Sequence, residues 1–261
     1  LTTDEIINKS NVFAVNNVII TAYTKLHNEG NIQSKIVDIL NSGNVINSGL
    51  VRGDDKLTIN SFSLDNRLEG TIYSSYAGEF EDDDAYVINI STSNVLSNSG
   101  RIQASRVSLF SSLTGEVFGM DNIGIIFASD KLLLSSAKIA NSGIIKSENI
   151  FEFSGVSSLH NSGSISSDKN LTIGEVSLLA LINSGDILSS EMLTINADTI
   201  TNSGSLSSST NIAITAKDFN NSGIITAIND LLINSDDIIN SGSLLSGFDL
   251  DLVVSNTLDN P

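Results

Sequence analysis

The chain of 261 residues has no cysteine and no tryptophan, and its one proline is the last residue, Pro261. Without cysteine there is no disulfide framework, no thiolate metal site and no cysteine nucleophile. Aromatic residues make up 5% of a chain that is 40% hydrophobic, so any core must be built from Ile, Leu and Val. Basic residues are also scarce. Thirteen Lys and Arg stand against 30 Asp and Glu, for a net charge of −17. A nucleic-acid surface needs a basic face that displaces counterions. The acidic balance argues against that partner and against an anionic membrane surface; its simplest use is solubility through self-repulsion. No apolar run approaches the length of a membrane span. No signal peptide is visible and the first residue is Leu1, so the expectation is a piece of a longer chain.

What the chain has in abundance is a recurring triplet, Asn-Ser-Gly. Taking its glycine as a marker gives Gly49, Gly100, Gly143, Gly163, Gly185, Gly204, Gly223 and Gly242; Gly30 (Asn-Glu-Gly), Gly70 (Leu-Glu-Gly) and Gly124 (Asn-Ile-Gly) fit the series in variant triplets, with Asn11 in the same place upstream. The modal spacing is 19 residues. Columns that played no part in finding the period obey it. Two residues after each marker stands an apolar residue, from Phe13, Ile32 and Val51 to Ile225 and Leu244. Four after it the residue is small in nearly every repeat, as in Ser34, Ala104, Ser147, Ser208 and Ala227. A second apolar pair follows, for example Leu193 with Ile195 and Ile212 with Ile214, and a third apolar residue precedes the next Asn, for example Ile200 and Phe219.

Apolar residues alternate within each repeat, which is the period of a strand and not of a helix. Each repeat therefore holds three short strands, and none can bury its apolar face alone. The fold class that follows is all-β: a single-stranded parallel β-helix of about 12 rungs filling residues 1–261 as one domain. Rungs stacked at roughly 4.8 Å give a rod on the order of 55–60 Å long. The small column is expected to face inward and leave room for larger residues of other walls.

The Asn two residues before the marker, as in Asn141, Asn161, Asn183, Asn202, Asn221 and Asn240, has a structural use. Asn carries a donor and an acceptor, so identical side chains can hydrogen-bond along a stack. The glycine is expected to supply a positive φ at the corner. With Asn11 as the first marker, Lys9 and Leu68 are the positions where this column lacks Asn.

The period fails between Gly70 and Gly124, where insertions are expected at about 77–90 and 111–120. Solenoid insertions map to loops on one face, often the binding face. Glu81, Asp82, Asp83 and Asp84 are carboxylates of the type that bind Ca²⁺, but their spacing matches no EF-hand loop. The plainer reading is a solvated acidic bulge. In the second insertion Phe118 comes near Met120, which reads as a widened rung. The two histidines, His27 and His160, stand beside the corner Asn and read as turn residues. No Ser/His/Asp set and no wall of clustered acids emerges, so no catalytic residue and no cofactor is assigned and a non-enzyme is expected.

The unit N-S-G-x-I-x-S-x-x-x-L-x-I-x-A-x-x-I, clearest in 183–201 and 202–220, resembles the 19-residue repeats of filamentous haemagglutinin and related two-partner-secreted exoproteins, including contact-dependent inhibition shafts. The resemblance spans nearly the whole chain and is weakest over 66–121. It implies a right-handed β-helix, a secreted or bacterial cell-surface location, and a shaft that extends or displays a binding or toxin tip. It implies a partner such as a cell-surface receptor or glycan, engaged through parts outside this chain. Nucleic acid and membrane insertion are not expected. The alternative is a self-assembling fibre or surface-layer protein stacked end to end. A polysaccharide lyase or hydrolase on the same fold is the remaining rival.

Overall fold

The computed structural model describes residues 1–76, 78, 86–115 and 117–261, and their side chains apart from those of 41, 42 and 175–177. Among the described residues there is no helix, and 25 strands run parallel to one another. The chain coils as a β-solenoid of about 13 turns, with a repeat near 19 residues. Register is constant over most of its length: Leu193–Asn202 pairs with Ile212–Asn221, which pairs with Leu231–Asn240, residue for residue at a spacing of 19. Three walls result, each a parallel ladder.

The first wall follows the glycine. It stacks Val12, Ile32, Val51, Ile72 and Ile102, continuing through Ile126, Ile145, Ile165, Ile187 and Leu206 to Ile225 and Leu244. The second carries the apolar pairs, such as Leu171 with Ile173 and Leu231 with Ile233. The third stacks Leu26, Val45, Leu64, Leu96, Met120, Ile139 and Leu159, then Leu181, Ile200, Phe219 and Ile238. Nearly all of these side chains are fully buried in one continuous core. The alternating pattern is strong because every inward side chain faces residues of two other walls. A polar replacement at any of these sites would bury an unpaired group.

Three details depart from the sequence reading. The first rung is out by one residue: Val12 pairs with Ile32, and Phe13 points outward at 69% exposure. The outward turn of Phe13 and Val15 follows from that shift. The first insertion is shorter than 77–90, because Val87 is buried and Ile88–Thr92 is already a second-wall strand paired with Leu57–Ser61. In the second insertion Met120 takes its place in the third wall, while Phe118 leaves the rung and packs its ring against His160 on the outer face, 4.9 Å between centroids.

The small column does more than make room. The Ser147 hydroxyl donates to the Ile150 carbonyl (2.7 Å), and Ser189 donates to the carbonyls of Lys169 (2.7 Å) and Met192 (3.0 Å). Ser208 likewise donates to the Glu191 carbonyl. These carbonyls belong to the corner between the first and second walls, where the chain leaves the ladder and needs donors. Serine fits because it is small enough to face inward and still carries a proton for the turn.

Candidate functional site

The best-defined polar constellation is the corner between the third and first walls. Thirteen asparagines stack there: Asn8, Asn28, Asn47, Asn66, Asn98, Asn122, Asn141, Asn161, Asn183, Asn202, Asn221, Asn240 and Asn260. Each Nδ2 donates to the Oδ1 of the next at 2.7 or 2.8 Å. The orientation of the amides is fixed by a second contact. Nδ2 of Asn183 also donates to the Gly185 carbonyl (3.0 Å) and to the Ser205 carbonyl one rung on (3.2 Å). An oxygen turned to that side would face two acceptors. Backbone groups close the corner. The Asn183 carbonyl accepts from the N–H of Ser203 (2.8 Å) and of Gly204 (3.2 Å). From Asn8 to Asn240 the side chains are buried, Asn202 fully so, while Asn260 is exposed. With its polar atoms already paired, the corner offers nothing to a ligand.

All ten asparagines that stand two residues before a marker, from Asn28 and Asn47 to Asn221 and Asn240, are in this stack, and three further members were missed. Asn8 heads it in place of Lys9, through the same one-residue shift that displaced Phe13. Asn66 holds the fourth place because the loop between Asn66 and Gly70 carries two extra residues, so Leu68 never belonged to the column. Asn260 accepts from Asn240 with no glycine after it in the sequence to mark it.

The corner glycines are needed for a reason other than φ. Among the described glycines, positive φ is confined to Gly115, Gly155 and Gly174. At Gly204 an added Cβ would lie 2.1 Å from the Gly185 carbonyl oxygen, and at Gly124 it would lie 2.0 Å from that of Gly100. Rungs approach so closely here that a side chain has no room. Ser10 occupies the corresponding place in the first rung, under Gly30.

The other sequence candidates resolve differently. Glu81, Asp82, Asp83 and Asp84 lie outside the described residues. Among the described residues no group of three His, Cys, Asp or Glu is placed to hold a metal ion. His27 and His160 lie in strands and not in turns, on the outer face of the third wall one residue before the ladder Asn. Nδ1 of His27 is 3.6 Å from Glu29, and its Nε2 is buried without a hydrogen-bond partner.

Beside Tyr86 stands a cationic pair that the repeat pattern did not signal. Arg106 and Lys131 stand in register on adjacent rungs, and both are buried. Arg106 Nε meets Asp130 at 2.6 Å, Lys131 Nζ meets Glu152 at 3.4 Å, and Lys131 lies 5.5 Å from the centre of the Tyr86 ring where the insertion rejoins the rung. Burial pushes the Asp130 carboxyl up, but hydrogen bonds from Arg106 and Asn149 and the charges of Arg106 and Lys131 outweigh this and hold it below the usual carboxylate value. Two like charges one rung apart are tolerable because each has its own anion.

A groove of about 550 Å³ opens on the outer surface where the second wall turns toward the third, over residues of five successive rungs. Tyr23, Phe62 and Phe110 line it and are 58%, 52% and 40% exposed. Gly43, beside Phe62, contributes no side chain, and a Cβ there would lie 2.1 Å from the Thr24 carbonyl oxygen. A second groove of about 440 Å³ lies on the first wall, with Tyr73, Tyr76 and Phe127 beside Asp130.

No family model matches the chain, no curated protein matches it, and no solved structure matches it.

Proposed function

We propose that this chain is a structural shaft segment of a secreted or surface-exposed bacterial exoprotein of the adhesin type, holding a binding or toxin element away from the cell. The observation that supports this reading is the asparagine stack, which runs unbroken from Asn8 to Asn260 and so ties every rung to the next by side chains as well as backbone. Thirteen rungs at about 4.8 Å make a rod of about 58 Å, long for its mass and uniform along its length. Its charged surface suits exposure to water, with ion pairs between neighbouring rungs such as Lys25–Glu5, Lys146–Asp168 and Lys217–Asp198. The role is mechanical and not catalytic. External protease applied to intact producing cells should release fragments of this segment; full protection until lysis would sink the location and with it the display role. Release of reducing or unsaturated sugars from polysaccharides by the purified chain would overturn the non-enzymatic part.

A second reading, assembly by end-to-end stacking, is supported by the last rung. There Leu244, Leu250, Leu252 and Leu258 surround an apolar concavity of about 400 Å³ beside Asn260. A further rung would fill it, whether supplied by a longer parent chain or by a second copy. Sedimentation of the chain across a range of concentrations distinguishes the two, since a concentration-independent monomer counts against copies stacking.

A further inference from the structure

We infer that the groove lined by Tyr23, Phe62 and Phe110 is a binding site for a neutral oligosaccharide. This goes beyond the shaft reading, which assigns this segment no ligand. The three rings stand on the first, third and fifth of five consecutive strands, within Asn17–Asn28, Leu50–Asn66 and Arg101–Ser111. Outermost strands in such a set are about 19 Å apart, so the site is elongated along the rod. Exposing an aromatic ring to water is unfavourable, and three in one concavity call for a partner with an apolar face. Aromatics are only 5% of this chain, so their grouping is not what composition alone would scatter.

Between the rings the lining is hydroxyl and amide. Asn60, Ser91 and Ser112 present outward polar groups. Among the described residues no charged side chain lines the groove, in a chain whose net charge is −17. An anionic ligand would meet a repulsive field with no local cation, and a cationic one would find no local anion. A pyranose has an apolar C–H face that stacks on an aromatic ring and a rim of hydroxyls that pair with Ser and Asn. A chain of such rings matches the alternation of rings and polar groups along the groove.

The test is titration calorimetry of the 261-residue chain with cello-, laminari-, malto- and chito-hexaose, with hexagalacturonate as the anionic comparison. At least one neutral hexasaccharide should bind, and Phe62→Ala and Tyr23→Ala should each weaken it roughly tenfold or more, the loss expected from one aromatic stacking contact with its buried area. Phe62→Tyr should retain binding. Phe13→Ala, an exposed ring outside the groove, should leave it unchanged. Thermal melting should stay the same in all four variants, because these side chains point outward. Absence of binding by every neutral hexasaccharide, equal or tighter binding of hexagalacturonate, or indifference to Phe62→Ala would each overturn the assignment.

Discussion

Replacing Asn202 by Asp changes one group of one side chain and tests the stack directly. Asn202 is fully buried; it accepts from Asn183 at 2.8 Å and donates to Asn221 at 2.7 Å and to the Gly204 carbonyl at 3.3 Å. Asp keeps the acceptor and loses both donations. It sets a carboxylate oxygen against the Asn221 oxygen and buries a charge. Burial and the facing acceptor both raise the folded-state pKa above the unfolded value of about 3.9, and each unit of that rise costs about 1.4 kcal/mol at neutral pH. Asn202→Ala sets the scale without a charge. It orphans the Asn221 oxygen, at about 1–3 kcal/mol, and leaves a small cavity, for a total of about 3 kcal/mol. At pH 7 the Asp variant should therefore be the less stable of the two. As pH falls through its raised pKa the folded state takes up the proton first, the carboxyl regains an O–H to donate, and the deficit against the parent chain shrinks. Solenoids lose stability locally, so the readout is hydrogen exchange at the Ser222 and Gly223 amides, which donate to the Asn202 carbonyl, alongside denaturant melts. A pH 7 loss below about 0.5 kcal/mol in both variants, or an Asp deficit that stays constant with pH, refutes the reasoning, because a loss that small is what an ordinary surface substitution produces.

Gly204→Ala, whose new Cβ would lie 2.1 Å from the Gly185 carbonyl, should cost at least about 2 kcal/mol in denaturant melts. Gly155→Ala, at φ +64° with open space around it, should cost only about 1–2 kcal/mol; a larger loss at Gly155 would favour conformation over crowding as the role of the corner glycine. Asp130 has a depressed folded pKa, so its contribution is present above the unfolded value near 3.9 and is lost as pH falls through the lower folded one. Asp130→Asn should flatten the acid limb of the stability profile below about pH 4, and an unchanged limb would show that Arg106 gains nothing from this partner.

The walls were legible because inward positions tolerate little besides Ile, Leu, Val and Phe, and because the repeat supplies many independent readings of each column. Leu181, Ile200 and Phe219 needed only their spacing from the marker. Asn66 was illegible because two extra loop residues separate it from Gly70, while the stack is defined in space and ignores loop length. At the first rung a choice of marker one residue late, Asn11, moved Phe13 to the inside and Asn8 out of its column. The glycine column was read correctly as obligatory, but its cause was not. Crowding between rungs is a distance across 19 residues of chain, and nothing local in Asn-Ser-Gly distinguishes it from a demand on φ. The sugar groove was hidden for the same reason: Tyr23, Phe62 and Phe110 share no column, and only the coiling brings them to one surface.

The amides of the stack all point one way, each nitrogen toward the next rung. One of them cannot turn over alone, since that would set nitrogen against nitrogen on one side and oxygen against oxygen on the other. Thirteen side chains therefore share a single sense, and the rod has a direction that neither its shape nor its parallel strands alone require. A rung joining after Asn260 meets an offered proton, and one joining before Asn8 meets an offered lone pair. Growth of the coil is thus vectorial: each completed rung dictates the orientation of its successor, as a template does.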